Sequence, residues 1–483
     1  MANGVQRFAR DIGFSFASLA VISLTGFILR IFLARYLGAG DLGLYTLTFT
    51  VYSFGMLFSV FGISAALIKY VAEFKDDVPR TRLLVTSGSI TATLIGCIVG
   101  LIVYVCSNPI ANAFFDMPEL GGLLRIVAIS LPFVALETVV LGFLNGLRRM
   151  RLFAFIRITE HILLIVLTVA LVLWGGYGIR GAVFAIVLSI IIMSLFSLFS
   201  IRRSLVRPAL EQYAPAIKIL LAFGGYVVLA NGTGLIQTYT DSIMLGYFMT
   251  DVDVGLYAVA VVIAYAMRLP SQAIQTITNP TIATYWRRGE VDKIEDLINR
   301  IMKYTAAFII PVGFLVGFFG HEIITLIFGA EFTPAVLPLQ ILLIGAVFGA
   351  IQASVGTALS STAYVNMVFN LTGITVVANI ILNLLLIPRL GITGAAIATS
   401  TSMIIAVLLH LYFTQRLIRI KIYWSWFAKL FAFTALLVGA TYGLGLIVNH
   451  YICVPIAVII LIIVLLKYFF TREDLRLLRK IIR

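Results

Sequence analysis

The chain has 483 residues, 61% of them hydrophobic and 12% charged, with a mean hydropathy of +1.07. Soluble domains average about 25% charged and 45–50% apolar residues, so a water-soluble globule, a disordered chain and a disulfide scaffold are excluded. The net charge of +14 fits a membrane protein, which gathers Lys and Arg on its cytoplasmic side. No motif for nucleic acid accompanies it.

A membrane helix needs about 20 apolar residues. Runs of that kind are predicted at roughly 12–34, 42–67, 83–105, 122–145, 153–174, 182–201 and 219–240. They continue at 254–282, 304–320, 336–360, 366–387, 391–412, 430–449 and 453–470. The expected fold is an all-α polytopic membrane protein of about 14 transmembrane helices. Taking the N-terminus as cytoplasmic places 28 of the 35 Lys and Arg residues on the inner side, so both termini are expected inside. Inner clusters include Lys69–Arg82, Arg148–Arg151, Arg202–Lys218 and the basic tail after Lys467. Cys97, Cys106 and Cys453 form no close-spaced metal or redox pair. The first apolar run lacks a cleavage signal after it and is read as a retained helix.

Two motifs repeat at one offset. Asp41-Leu-Gly-Leu-Tyr45 returns as Asp253-Val-Gly-Leu-Tyr257, 212 residues later. Gly178-Ile-Arg-Gly-Ala182 with Ala185 returns as Gly391-Ile-Thr-Gly-Ala395 with Ala398, 213 residues later. The chain therefore reads as two six-helix bundles, 1–203 and 219–417, with helices 13 and 14 and the tail in 418–483. Residues 204–218, with Pro208 and Pro215, are expected as an interfacial cytoplasmic linker with an amphipathic helix. Six spans is an even number, so the two halves share an orientation. Parallel repeats of this kind place substrate between the halves and work by alternating access.

Charges inside a bilayer are costly and face protein or a wet cavity. Arg268 lies deep in the eighth run and is the leading candidate for an anion-binding group in a cavity. Arg30, near the end of the first run, falls opposite Asp241 when the halves are aligned. An ion pair between them, or a shared place in the cavity, is the expectation. Glu137 sits in the fourth run, and Arg157, Glu160 and His161 sit in the fifth. Arg157 and Glu160 are three apart and can pair on one helix face. That cluster reads as a polar knot near the inner surface, with an inner gate or proton site as the alternative. Asn231-Gly-Thr-Gly234 and Gln237, in the seventh run, are candidates for sugar or gating contacts.

Arginine suits phosphate, because its planar fork bonds bidentately and stays charged when buried. An excess of basic over acidic groups in the spans thus points to an anionic substrate. No G-x-x-x-x-G-K-[ST] phosphate loop and no catalytic arrangement appear. The expected protein is a transporter and not an enzyme, without cofactor or metal, driven by an H+ or Na+ gradient, the membrane potential or its substrate's gradient.

Phe27-Ile-Leu-Arg-Ile-Phe-Leu-Ala-Arg-Tyr-Leu-Gly38, followed by Asp41–Tyr45, resembles the opening of Wzx-type polysaccharide exporters. These belong to the multidrug/oligosaccharidyl-lipid/polysaccharide (MOP) flippase superfamily. Ile324-Thr-Leu-Ile-Phe-Gly-Ala-Glu-Phe332, with Ala335 and Leu339, and Pro388-Arg-Leu-Gly-Ile-Thr-Gly-Ala-Ala396 resemble later segments of the same family. The resemblance covers nearly the whole chain. It implies two six-helix bundles in a V around a central cavity. It also implies flipping of polyprenyl-linked oligosaccharide from the inner to the outer leaflet of the cell membrane. Related lipid II flippases carry functional arginines in spans 1 and 8, which Arg30 and Arg268 match. The resemblance implies that these hold the carrier diphosphate. The implied partners are polyprenyl-linked oligosaccharide and membrane lipids, together with a polysaccharide polymerase or glycosyltransferases.

The alternatives are a cation-coupled multidrug antiporter and a lipid II flippase. Many drug antiporters of the superfamily keep an acidic residue in span 1, and Ile12–Ala34 contains none.

Overall fold

A computed structural model describes residues 2–207, 209–445, 450–465 and 467. The basic tail beyond Lys467, Pro208 and the end of the thirteenth apolar run lie outside the described residues. So do Leu466 and residues 468–470, within the end of the fourteenth run. Among the described residues the secondary structure is all helical. The helices are α1 (Ala2–Val60), α2 (Ile63–Glu73), α3 (Val78–Asn108), α4 (Pro118–Ala128), α5 (Leu131–Gly146), α6 (Met150–Val169), α7 (Gly178–Ile201) and α8 (Leu210–Phe248). They continue with α9 (Asp251–Ala266), α10 (Leu269–Arg287), α11 (Val291–Phe318), α12 (Gly320–Ile327), α13 (Val336–Ser360), α14 (Val365–Ile418), α15 (Trp424–Gly445) and α16 (His450–Val464).

Nine helical segments among the described residues are long and apolar enough to cross a membrane. A tenth arises if α4 and α5, bent by 46° at Ile129–Ser130, count as one span. The fourteen runs thus do not map one to one onto these segments, for two reasons. First, some helices continue through a turn. α1 has 59 residues and α14 has 54. At 1.5 Å per residue these would be about 88 and 81 Å long if straight, against a hydrocarbon core of about 30 Å. Each is broken at a glycine in the left-handed half of backbone space, Gly38 (φ 81°) and Gly391 (φ 57°). Both glycines open or precede the repeated motifs. Second, the eighth run is divided between α9 and α10, which part at Met267–Arg268.

The chain forms two compact units, Met1–Ala258 and Val259–Arg483. In the first, a core of Ile63, Leu67, Val85, Val139, Phe143 and Ile156 joins α2, α3, α5 and α6. Leu220 and Ala216 of α8 belong to the same core. The Tyr213 and Thr91 hydroxyls hydrogen-bond at 3.1 Å, and the Lys69 ammonium lies 4.9 Å from the Phe223 ring centre. The first helix of the second sequence repeat is therefore part of the first compact unit. The segment expected as a separate linker helix is instead a 3-10 turn at Arg202–Ser204, an extended stretch and the opening turns of α8.

In the second unit, Ile298, Met302, Val355, Leu371 and Leu411 form a core with Leu430 of α15 and Leu461 of α16. Asn299 fixes the connection into α15. Its Nδ2 donates to the Glu295 and Lys421 carbonyls, both at 2.8 Å, and its Oδ1 accepts from Tyr423 N at 3.3 Å.

The motif Asp41–Tyr45 packs against its own repeat. A Cβ placed on Gly43 would overlap the Asp251 carbonyl oxygen and lie 3.1 Å from Gly255 N. A Cβ placed on Gly255 would overlap the Ala39 carbonyl oxygen and lie 3.1 Å from Gly43 N. The contact is reciprocal, residue for residue, as a two-fold relation requires. Glycine is needed at both places because each faces backbone, which cannot swing aside.

Candidate functional site

Each repeat carries a motif tyrosine beside a charged residue of the preceding helix. In the second repeat the buried Tyr257 hydroxyl donates to Asp241 Oδ2 at 2.6 Å. In the first, Tyr45 is buried within the electrostatic reach of Arg30. Tyr239 of α8 also faces Arg30 and accepts a hydrogen bond from the Ser53 hydroxyl at 3.1 Å. Among the described residues no ion pair joins Arg30 to Asp241. A tyrosine accommodates either partner, because its hydroxyl both donates and accepts. The duplicated position thus holds a cation in one half and an anion in the other.

Tyr45 leads along α1 to Tyr52, through the ring of Phe49. Tyr52 is buried against the charges of Glu137, Arg157 and Glu160. This is the cluster expected from the fourth and fifth runs. Glu137 is 2% exposed. Both of its carboxyl oxygens are buried without a hydrogen-bond partner, within the electrostatic reach of Glu160 and Arg157. Arg157 Nη1 is 3.7 Å from Glu160 Oε2, and His161 Nδ1 is 3.8 Å from the same oxygen. His161 Nδ1 also sits 3.0 Å from the Arg157 carbonyl, which accepts from it when that nitrogen carries hydrogen. Glu137 and Glu160 lie nine and ten residues from the α5–α6 turn. That is about 14 Å of helix.

Arg268 belongs to the second unit. It caps α10 at the break from α9, with Pro270 in the first helical turn. Its guanidinium lies 5.4 Å from the Tyr265 ring centre. Its Nε would be 3.8 Å from a Cβ on Gly349, so the absence of a side chain there leaves room for it. Among the described residues no carboxylate comes within ion-pair distance of Arg268. The start of α10 adds its own partial positive charge.

Asn231 and Gln237 are both exposed on α8, and the Asn231–Gly234 stretch stays helical rather than opening. Arg125, exposed at the end of α4, donates from Nε to Ser107 Oγ at 3.1 Å. Cys97 and Cys106 are free thiols.

The sequence reading missed Tyr45, Tyr52 and Tyr239, because a hydropathy window counts tyrosine as apolar. The repeated motif did contain a signal, since both copies end in tyrosine.

Helices kinked at glycines, two repeats in contact through one motif and charges buried in spans define a multi-pass membrane protein of transporter architecture. The chain belongs to the polysaccharide biosynthesis protein family, whose pattern matches residues 32–337. It is 26% identical over 275 residues to a probable low-salt glycan biosynthesis flippase, Agl15, of Haloferax volcanii, covering 57% of each chain. It is 27% identical over 406 residues to a probable flippase, AglR, of the same organism, covering 83% of this chain and 82% of that one. Among solved structures it resembles the lipid II flippase MurJ in an inward closed conformation, with a TM-score of 0.75 at 19% identity. That match covers 98% of this chain and 100% of the other, and it shows a shared fold.

Proposed function

We propose that this protein flips lipid-linked oligosaccharide, carried on a polyprenyl phosphate or diphosphate, from the inner to the outer leaflet for glycan assembly. The observation that carries this reading is Arg268, a cation at a helix break with Tyr265 beneath it and no acidic partner among the described residues. A half-buried cation with no carboxylate partner among the described residues calls for an anion in a membrane protein. Phosphate matches its planar fork, and the α10 terminus adds to the attraction. The family and the relatives named as flippases support the same reading.

The headgroup enters from the cytoplasmic side while the polyprenyl tail stays in lipid. Arg268 and Arg30 hold phosphate, and the exposed amides of Asn231 and Gln237 meet sugar. Both termini are cytoplasmic, in the cell membrane, following the distribution of Lys and Arg. The enzymes that build and polymerise the oligosaccharide are the expected neighbours, and the chain itself performs no catalysis.

The test is flipping of a fluorescent polyprenyl-diphosphate oligosaccharide in proteoliposomes. Arg268→Ala is expected to slow it by about 10- to 100-fold, the worth of a hydrogen-bonded charge pair. Arg268→Lys keeps the charge without the fork and should fall between. Wild-type flipping by Arg268→Ala removes the arginine from the mechanism. Failure of wild type to flip the probe, with efflux of a cationic dye instead, replaces the flippase by a drug antiporter.

A further inference from the structure

The first unit holds a cavity of about 410 Å3, a volume in the range of small-ligand sites. Leu44 of α1, the turn from α3 to α4 and the turn from α8 to α9 line it. Two glycines bring these stretches together. A Cβ on Gly246 of α8 would be 2.8 Å from the Phe115 ring, so its absence lets that ring lie against the helix. Gly43 admits the Asp251 carbonyl in the same way. The α3–α4 turn is fixed by its own backbone. Phe115 N donates to the Ile110 carbonyl at 3.1 Å, and Met117 N to the Ala111 carbonyl at 2.8 Å. Across from it, the Thr250 hydroxyl donates to Asp253 Oδ2 at 2.7 Å and braces the start of α9.

The lining has two chemical parts. Leu44, Phe115 and Met117 are buried apolar groups, while Tyr247, 52% exposed, stands edge to face with Phe248 at 4.9 Å between ring centres. Asp116, Glu119 and Asp251 supply negative charge. No Lys, Arg or His lines the cavity among the described residues. Neither the Asp116 nor the Glu119 carboxylate has an ion-pair or hydrogen-bond partner among them.

These groups select a ligand. Carboxylates only accept hydrogen bonds, so the ligand must donate. Three like charges repel a phosphate. A hard metal ion takes about six or more oxygens, and no group of three metal-ligating side chains occurs among the described residues. An aromatic ring has a negative face, which attracts C–H groups. A sugar ring presents C–H groups on its face and hydroxyl donors around its rim, and so answers both parts of the lining. The polysaccharide biosynthesis family favours it over an organic cation, which would answer the charges alone.

We propose that this cavity is a glycan pocket, which takes sugar rings of the lipid-linked oligosaccharide and excludes its diphosphate. The ligand rests on the flippase reading above, and the side of the membrane rests on the orientation given there. With cytoplasmic termini, both turns lie at the outer face, so the pocket receives the oligosaccharide after translocation. Tyr247 is the stacking platform, and Asp116 and Glu119 accept from hydroxyls. The substrate is thus divided by chemistry, with arginine for its phosphate and carboxylates with aromatic rings for its sugar.

The test is saturation-transfer NMR on the purified protein in lipid nanodiscs. The ligand is the water-soluble oligosaccharide cleaved from the fluorescent probe, free of phosphate and lipid. Wild type is expected to pass saturation from aromatic protons to sugar C–H groups. Tyr247→Ala should weaken binding about tenfold or more, and Tyr247→Phe, which keeps the ring, should restore it. Asp116→Asn with Glu119→Gln keeps acceptors without charge and should weaken it about tenfold. Arg268→Ala should bind the phosphate-free glycan as wild type does. Binding of a neutral sugar should hold between about 50 and 500 mM salt, whereas that of a cation falls.

Melting curves check that the variants fold. Should Tyr247→Ala melt early, the exposed pair Asp116→Asn, Glu119→Gln decides. A wild type that does not bind the glycan overturns the pocket. So does binding unchanged by the Tyr247 and carboxylate variants, or binding lost only with Asn231→Ala and Gln237→Ala. Salt-sensitive binding of spermidine, with none of the glycan, makes it a cation site instead. A wild type that binds the glycan here but does not flip the intact probe keeps the pocket and removes the flippase. Flipping without binding here does the reverse.

Discussion

Replacing Gly43 by alanine adds one methyl group where there is no side chain to move. The new Cβ would overlap the Asp251 carbonyl oxygen, with the carbonyl carbon at 2.7 Å and Gly255 N at 3.1 Å. Ordinary contact begins near 3.4 Å. The carbonyl carbon must therefore retreat by about 0.7 Å, and the oxygen by more, so the two motif copies have to part. Overpacking costs about 1–3 kcal/mol, and a clash with backbone belongs at the upper end, about 3 kcal/mol.

Gly255→Ala should cost about the same, because its Cβ meets the Ala39 carbonyl, with that carbon at 2.9 Å. One separation relieves both clashes. The double variant should then lose clearly less than the sum of the singles, a coupling of about 1–3 kcal/mol. Thermal unfolding in detergent, followed by intrinsic fluorescence for the four proteins of the cycle, measures this. Strictly additive losses, or a Gly43→Ala protein that melts with wild type, would refute a shared contact between the motif copies.

The other predictions concern hydrogen bonds and charges already described. Tyr257→Phe removes an O–H donor from the buried Asp241 carboxylate and should cost about 1.5–3 kcal/mol, read from the same melting curves. Asn299→Ala leaves the Lys421 carbonyl and the Tyr423 amide without their side-chain partner. About 1–3 kcal/mol is expected, with faster proteolysis around residue 421 as a second readout. Arg30→Gln should slow flipping of the polyprenyl-diphosphate probe less than Arg268→Ala does, since Tyr45 and Tyr239 already lie within the cation's reach. An equal or larger loss would make Arg30 the main anchor.

Hydropathy alone located nearly every helix, because an apolar stretch of bilayer length has few other uses. It could not divide them as the backbone does. The breaks at Gly38 and Gly391 lie inside sequences that remain helical on both sides, so composition there looks continuous. The eighth run was read as continuous through Pro270, yet α10 begins there, since proline opens a helix more easily than it continues one.

The repeated motifs were visible as text, but their mutual contact was not read from the sequence. The sequence grouped Glu137 with Arg157 and Glu160, but not the faces on which they approach. When every face of a helix is apolar, periodicity no longer says which face looks inward, and two charges 23 positions apart have no evident reason to approach.

The inclusion of α8 in the first unit bears on how the protein is made. A ribosome that has released residue 203 has delivered one whole sequence repeat but not one whole packed body. The face of α2 and α3 that receives Tyr213, Ala216 and Leu220 is still bare to lipid or to the insertion machinery. Residue 258, where the unit ends, emerges about 3–11 s later at 5–20 residues per second. During that interval six spans must wait beside the translocon with an unfinished wall. Gene duplication set one boundary in this chain, and assembly in the membrane obeys another.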